Sequence, residues 1–122
     1  MARITHFEIP TQDPQAASQF YTQVFGWQIN KWEGPVDYYL VSTGENGSPG
    51  INGALYTPED GMTGVINTVT VEDLDAIVEK VLANGGEVAF PRMGVPGIGW
   101  LAYIRDLDGN LVGMMQNDPN AM

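Results

Sequence analysis

The stretch DPQAASQFYTQVFG at 13–26 has a counterpart sixty residues later, DLDAIVEKVLANGG at 73–86. Each opens with an aspartate, whose side chain can accept a hydrogen bond from a free amide of a first helical turn. In the first, Pro14 follows at a position where its missing N–H leaves nothing unsatisfied. Ala16, Ala17, Phe20, Tyr21, Val24 and Phe25 then recur at helical spacing, and Gly26 supplies the stop. In the second, Leu74, Ile77, Val78, Val81 and Leu82 form the apolar stripe, and Asn84-Gly85-Gly86 ends it. Two helices are therefore predicted.

Outward from these helices the chain reads as strands. Residues 3–9 alternate, with Ile4, His6 and Glu8 on one face and Thr5, Phe7 and Ile9 on the other. Further strands are predicted at 27–32, 37–43, 51–56, 65–71, 87–90, 99–105 and 110–116, separated by Gly, Pro, Asn and Asp clusters. Each half then has the order strand, helix, strand, strand, strand. An offset of sixty brings Asp13 onto Asp73, Ala16 onto Ala76, Gly26 onto Gly86 and Gly53 onto Gly113, which points to a duplicated unit. The reading is one domain over 1–122, with module one at about 1–58 and module two at about 62–118, because sixty residues are too few for a good core alone.

Composition narrows the function. The 122 residues hold 15 acidic and 5 basic side chains, a net charge of −10, one histidine and no cysteine. The missing cysteine removes disulfides, thiolate metal sites and cysteine nucleophiles. Any imidazole chemistry runs through His6. Excess negative charge argues against nucleic-acid backbones and anionic membranes, both of which are bound through Lys and Arg. No apolar run approaches the roughly 20 residues of a membrane span, and the N-terminus lacks the apolar stretch of a signal peptide. A cytoplasmic location is expected.

A βαβββ unit repeated twice in this length resembles the vicinal oxygen chelate superfamily, which includes glyoxalase I, bleomycin-resistance proteins, fosfomycin-resistance enzymes and extradiol dioxygenases. The segments carrying the resemblance are Ile4-Thr5-His6-Phe7, Phe20-Tyr21 with Val24-Phe25-Gly26-Trp27, Val71 to Ala76, Gly85-Gly86, and Asp106-Leu107-Asp108-Gly109-Asn110. The fold it implies is α+β, with two βαβββ modules forming a cupped mixed sheet and helices outside. It also implies a homodimer.

Enzymes of this superfamily hold a divalent metal through ligands on the first and last strand of each half. His6 matches the first-strand slot of half one; the sixty-residue offset puts Ile66, Gly53 and Gly113 in the other three. Zinc, manganese and iron require several nitrogen or oxygen donors converging at about 2 Å. Even with Glu8 added, two donors remain, so the metal site is expected to be degenerate and no cofactor is expected.

His6 is the leading site residue, either hydrogen-bonded to a neighbour such as Glu8 in the cleft or binding ligand or transferring protons, with a pKa moved up by an adjacent carboxylate. Glu8 either faces solvent at a sheet edge or salt-bridges locally, or places a charge in the ligand cleft as general base or as anchor for a cationic group. Tyr38 maps onto Ile98 and Leu40 onto Trp100, which puts Tyr38 and Trp100 on one face as pocket rings. Pro91–Gly99 reads as an irregular loop, or a flap with Arg92 and Met93 at its tip. Asp106–Asn110 reads as a hairpin turn. Gln116, ending the last strand, is either an exposed polar side chain or an amide available to a ligand. A Ser-His-Asp triad is disfavoured because Ser18 lies within a helix and Ser42 and Ser48 lack a nucleophile elbow.

Two functions follow. One is a metal-independent small-molecule-binding protein of the bleomycin-resistance type. The other is a glyoxalase-like lyase or isomerase using His6 with an unusual metal site or as acid/base. The empty ligand slots favour the first.

Overall fold

In the computed structural model, which describes residues 2–122, both helix signals act as read. Helix α1 spans Pro14–Phe25; the Asp13 carboxylate accepts from the Ala16 N–H, and Gly26 closes the helix at φ 75° with its N–H donating to the Thr22 carbonyl. Helix α2 spans Leu74–Ala83, with Asp73 accepting from the Ala76 N–H in the same way.

Eight strands accompany them: β1 Arg3–Pro10, β2 Gln28–Lys31, β3 Tyr38–Ser42, β4 Asn52–Tyr56, β5 Ile66–Thr70, β6 Glu87–Val95, β7 Gly99–Arg105 and β8 Leu111–Asn117. The chain is α+β. It divides into two compact units, one of His6–Val65 and one of Ile66–Met122 with the residues up to Thr5. In the first unit the strands run β2-β3-β4-β1; in the second, β5-β8-β7-β6. Each unit pairs its first strand parallel to its last, β1 with β4 and β5 with β8, and its other neighbours antiparallel. The sheet is therefore mixed, as expected for a repeated βαβββ order.

Register decides which side chains share a face, because partners across a ladder point the same way and the period is two. In the first unit Phe7 pairs with Gly53, Ile9 with Leu55, and Leu55 with Tyr39. Phe7 meets Trp27, which in turn meets Tyr21 and Phe25 of α1 at ring separations of 5.1 and 5.3 Å. Phe7, Trp27 and Tyr21 thus pack between α1 and its sheet, while Phe25 stays more than half exposed. The opposite face carries His6, Glu8, Asn52, Ala54, Tyr56, Tyr38 and Leu40. In the second unit Val71, Leu74, Ala102, Ile104 and Met114 form the core, with Ile77, Val78, Val81, Val112 and Trp100 packed on it.

The sixty-residue offset holds for the first strands and helices and then slips. Glu8 faces Ala54, and its counterpart Thr68 faces Gly113, so Gly113 corresponds to Ala54 rather than Gly53. Ala54 pairs with Leu40 and Gly113 with Tyr103, so Leu40 corresponds to Tyr103 rather than Trp100. A second correction concerns Pro91–Gly99. Residues up to Val95 are strand, with Met93 opposite Leu101 and Gly94 opposite Trp100. Pro91 is tolerated because it lies within a register shift between Phe90 and Met93, where a ladder N–H is not required. Asp106–Asn110 is a turn as read: Asp106 accepts from the N–H groups of Asp108 and Asn110, and Gly109 takes φ 85°.

Candidate functional site

Strand alternation puts His6 and Glu8 of β1 on the face away from α1, and the pairing of β3 and β4 puts Tyr38 and Tyr56 there with them. Tyr38 is the centre. Its hydroxyl lies 2.7 Å from His6 Nε2 and hydrogen-bonds the Glu8 carboxyl group. The His6 and Tyr38 rings stack with an interplanar angle of 18°, and Trp32 meets Tyr38 edge-on at 5.9 Å. Tyr56 sits nearby in charge terms and donates its hydroxyl to the Gly64 carbonyl at 2.7 Å.

Glu8 is only 4% exposed, which overturns the solvent-facing alternative. A buried carboxyl group needs hydrogen-bond donors in place of water, and Tyr38 supplies one. Burial, the Glu8 charge and the hydrogen bond to it push the Tyr38 phenol far above its usual range. Burial and the same charge raise Tyr56. The His6 pKa is lowered, not raised, because burial penalises its charged form. The sequence reading paired His6 with Glu8; the structure interposes Tyr38.

The proton order follows from the donors available. When Glu8 is ionised it only accepts; the Tyr38 O–H then points to it and His6 donates Nε2–H to the Tyr38 oxygen, leaving Nδ1 as acceptor. One proton taken up at Nδ1 and passed on through Tyr38 to the Glu8 carboxylate reverses both bonds and leaves Glu8 neutral. His6, Tyr38 and Glu8 thus form a three-member hydrogen-bonded relay.

Two expected site residues are used otherwise. Trp100 packs on the core beneath α2, the reverse of the face expected for a pocket ring. Its Nε1 donates to Asp118 at 3.0 Å, and the Arg92 guanidinium lies 4.3 Å from its ring centre. Arg92 also bonds Asp75 at 2.9 Å, so it is held against the unit rather than at a flap tip. Gln116 accepts from the Leu74 N–H at 2.8 Å and satisfies the first turn of α2. Ser18 carries a buried hydroxyl without a partner and meets no histidine. Tyr56 was the residue missed; alternation along 52, 54 and 56 would have put it opposite Pro10 and beside Glu8 once the register was known. An open groove of ≈ 360 Å³ lies elsewhere, lined by Gly26, Gln28 and residues 42–46.

The donor set does not fit the metal that the resemblance implies. Gly53 points to the Phe7 side of the sheet, away from His6. A Cβ at Gly113 would lie 2.7 Å from Thr68 Oγ1, so the position has no room for an acidic side chain without movement. Ile66 offers no donor. Among the described residues no three His, Asp or Glu side chains converge.

Comparison with known proteins bears on the same elements. Residues 3–44 match the family profile described as bleomycin resistance protein-like N-terminal. A putative glyoxylase, CFP32, of Mycobacterium bovis is 35% identical over 114 residues, covering 89% of this chain and 43% of its own length. The chain therefore spans less than half the length of the curated relatives of this type. A glyoxalase/bleomycin resistance protein/dioxygenase superfamily member from Vibrio splendidus superposes with a TM-score of 0.67 at 18% identity, covering 97% of this chain and 100% of the other. The chain has the fold of the glyoxalase/bleomycin-resistance/dioxygenase superfamily. Within that superfamily fold, methylmalonyl-CoA epimerase from Mycobacterium tuberculosis superposes at TM-score 0.72 with 18% identity, over 95% and 88% of the two chains. None of the described helices is long and apolar enough to cross a membrane.

Proposed function

We propose that this chain is a metal-independent small-molecule-binding protein of the glyoxalase/bleomycin-resistance type, working in the cytoplasm. The observation that carries the reading is the Tyr38 hydroxyl held between His6 and Glu8 on a face that also bears Trp32 and Tyr56. Apolar rings around a few fixed polar groups are the usual make-up of a small-molecule site. The net charge of −10 enriches cations locally, so cationic aromatic compounds are the first ligands to try. A second reading, a glyoxalase-like lyase or isomerase, is favoured by the relay itself. A neutral His6 accepts a substrate proton at Nδ1 while Nε2–H passes one through Tyr38 to Glu8.

Metal analysis of purified protein, with Zn²⁺ and Ni²⁺ titrations of wild type and His6→Ala, separates metal-free from metal-dependent action. The expected result is no stoichiometric metal that depends on His6. Sub-micromolar, His6-dependent binding of one metal per chain overturns the proposal. A cationic aromatic dye followed by tryptophan fluorescence then tests the pocket, with Tyr38→Phe expected to weaken its binding.

A further inference from the structure

Asparagine stands immediately before glycine in Asn46-Gly47, Asn52-Gly53 and Asn84-Gly85. The pair is chemically labile. Glycine has no Cβ to shield its amide nitrogen, and that nitrogen can attack the side-chain carbonyl carbon of the asparagine before it. The attack requires a free glycine N–H, a side-chain amide able to turn, and a backbone loose enough to close a succinimide ring. The pairs share their two residues and differ in structure, so each is a control for the others.

Asn52-Gly53 is locked. It opens β4, whose backbone pairs with β1 on one side and β3 on the other. Gly53 is buried, and the Asn52 side-chain oxygen accepts from the Thr43 N–H at 2.9 Å. Asn84-Gly85 is held at the end of α2. The Asn84 side-chain amide donates to the Lys80 carbonyl at 2.8 Å, and the Gly85 N–H donates to the Leu82 carbonyl. Asn46-Gly47 lacks all of these restraints. Both residues are exposed at the centre of a turn over 45–48, closed by the Ser48 N–H on the Glu45 carbonyl at 3.1 Å. Such a turn bonds its first residue to its fourth and leaves the third residue's N–H outside the bond. Here that third residue is Gly47, at φ 88°. Neither its N–H nor the Asn46 side chain has a hydrogen-bond partner among the described residues.

We infer that Asn46 is a site of spontaneous deamidation in the folded protein. The Gly47 nitrogen bonds to Asn46 Cγ, the bond from Cγ to the side-chain NH2 breaks, and the proton of the attacking nitrogen leaves with that NH2 as ammonia. Water then opens the succinimide at either carbonyl, giving aspartate or isoaspartate at position 46. One water is consumed and one ammonia released, with no change of oxidation state. The attacking species is the deprotonated amide, so the reaction quickens as pH rises. Its product is a new carboxylate beside Glu45. Both positions line the open groove that Gly26, Gln28 and Ser42 border. Deamidation therefore adds like charge to that groove and disfavours anions there.

Timed incubation of the folded protein at neutral and mildly alkaline pH tests this, with tandem mass spectrometry locating each exchange of NH2 for OH. A urea-unfolded sample and an Asn46→Gln variant run beside it. Position 46 is expected to convert at least about tenfold faster than position 84, equivalent to about 1.4 kcal/mol in barrier. Position 52 is expected to stay unconverted while the protein is folded. In urea the three rates are expected to converge, because the residue pair is then all that remains. Asn46→Gln keeps an amide in the exposed turn, but its longer side chain closes a ring far more slowly. It is expected to abolish the fast phase of ammonia release. A smaller margin between positions 46 and 84 in the folded protein overturns the inference, as does a fast phase that survives Asn46→Gln. Position 46 remaining intact while the unfolded chain reacts also overturns it.

Discussion

His6 Nε2 on β1 and the Tyr38 hydroxyl on β3 are 2.7 Å apart, although β4 lies between their strands. Neighbouring strands are about 4.8 Å apart, so the bond crosses roughly 10 Å of sheet and, because His6 pairs with Asn52 and Tyr38 with Tyr56, runs diagonally past four residues of β4 as well. Two ring side chains are long enough to do this only if nothing large rises from the strand between them. Asn52 and Ala54 occupy β4 on that face, opposite His6 and Glu8 respectively. The Asn52 side-chain oxygen accepts from the Thr43 N–H at 2.9 Å, and Ala54 has only a methyl group. The small residue at 54 thus creates the space in which the relay forms.

Removing the Tyr38 hydroxyl deprives a buried carboxyl group of a donor and His6 of its partner. Tyr38→Phe is expected to lower unfolding free energy by about 1–3 kcal/mol, the range for orphaning a buried acceptor. Urea denaturation at pH 7 measures it. Glu8→Gln retains an acceptor while removing the charge, and is expected to bring the Tyr38 phenol down toward its ordinary range, read from absorbance at alkaline pH. A Tyr38→Phe chain as stable as wild type would show that the hydroxyl does not support Glu8.

Burial lowers the His6 pKa below 6.5, and the sign of its effect on stability follows. Between the folded pKa and 6.5 the unfolded chain binds more protons than the folded one, so stability rises with pH in that window. The contribution is complete above the unfolded value and is lost as pH falls through the window; below the folded pKa it changes no further. Because His6 is the only histidine, its NMR titration is unambiguous. The expected midpoint lies below 6.5, and His6→Gln is expected to flatten the stability profile between pH 6.5 and the measured midpoint. A midpoint above 6.5 would restore the carboxylate pairing expected from sequence.

Helices, strand order and the turn at Asp106 were legible because each is signalled locally, by caps, periodicity or a glycine that takes positive φ. Register was not legible. The first-strand offset of sixty carries over to His6, Glu8 and both helices, but the connections of the second unit differ in length, and a slip of one residue exchanges the faces of a strand. Gly53 and Gly113 coincide in sequence and point to different faces relative to their helices. Trp100 went to the core for the same reason, displaced three positions from Tyr103. Gln116 could not be read because its partner, the Leu74 N–H, is 42 residues away in sequence. The central fact about Glu8, that it is buried and hydrogen-bonded to Tyr38, depends on pairings between strands and has no local signature.

The slipped register predicts an order of stability. An added methyl at Gly53 runs into the Phe7 carbonyl and ring. The carbonyl belongs to the backbone of the paired strand and cannot swing aside. At Gly113 the first obstacle is Thr68 Oγ1 at 2.7 Å, the end of a side chain that can change rotamer. Gly53→Ala is therefore expected to cost about 1–3 kcal/mol or more by overpacking, and Gly113→Ala less. Neither glycine has positive φ, so the difference reports packing and not backbone strain. Urea midpoints of the two variants, measured with equal m-values, give the order directly. If Gly113→Ala is the more destabilised, the β1–β4 register is wrong, and with it the placement of His6 and Glu8 on the face away from α1.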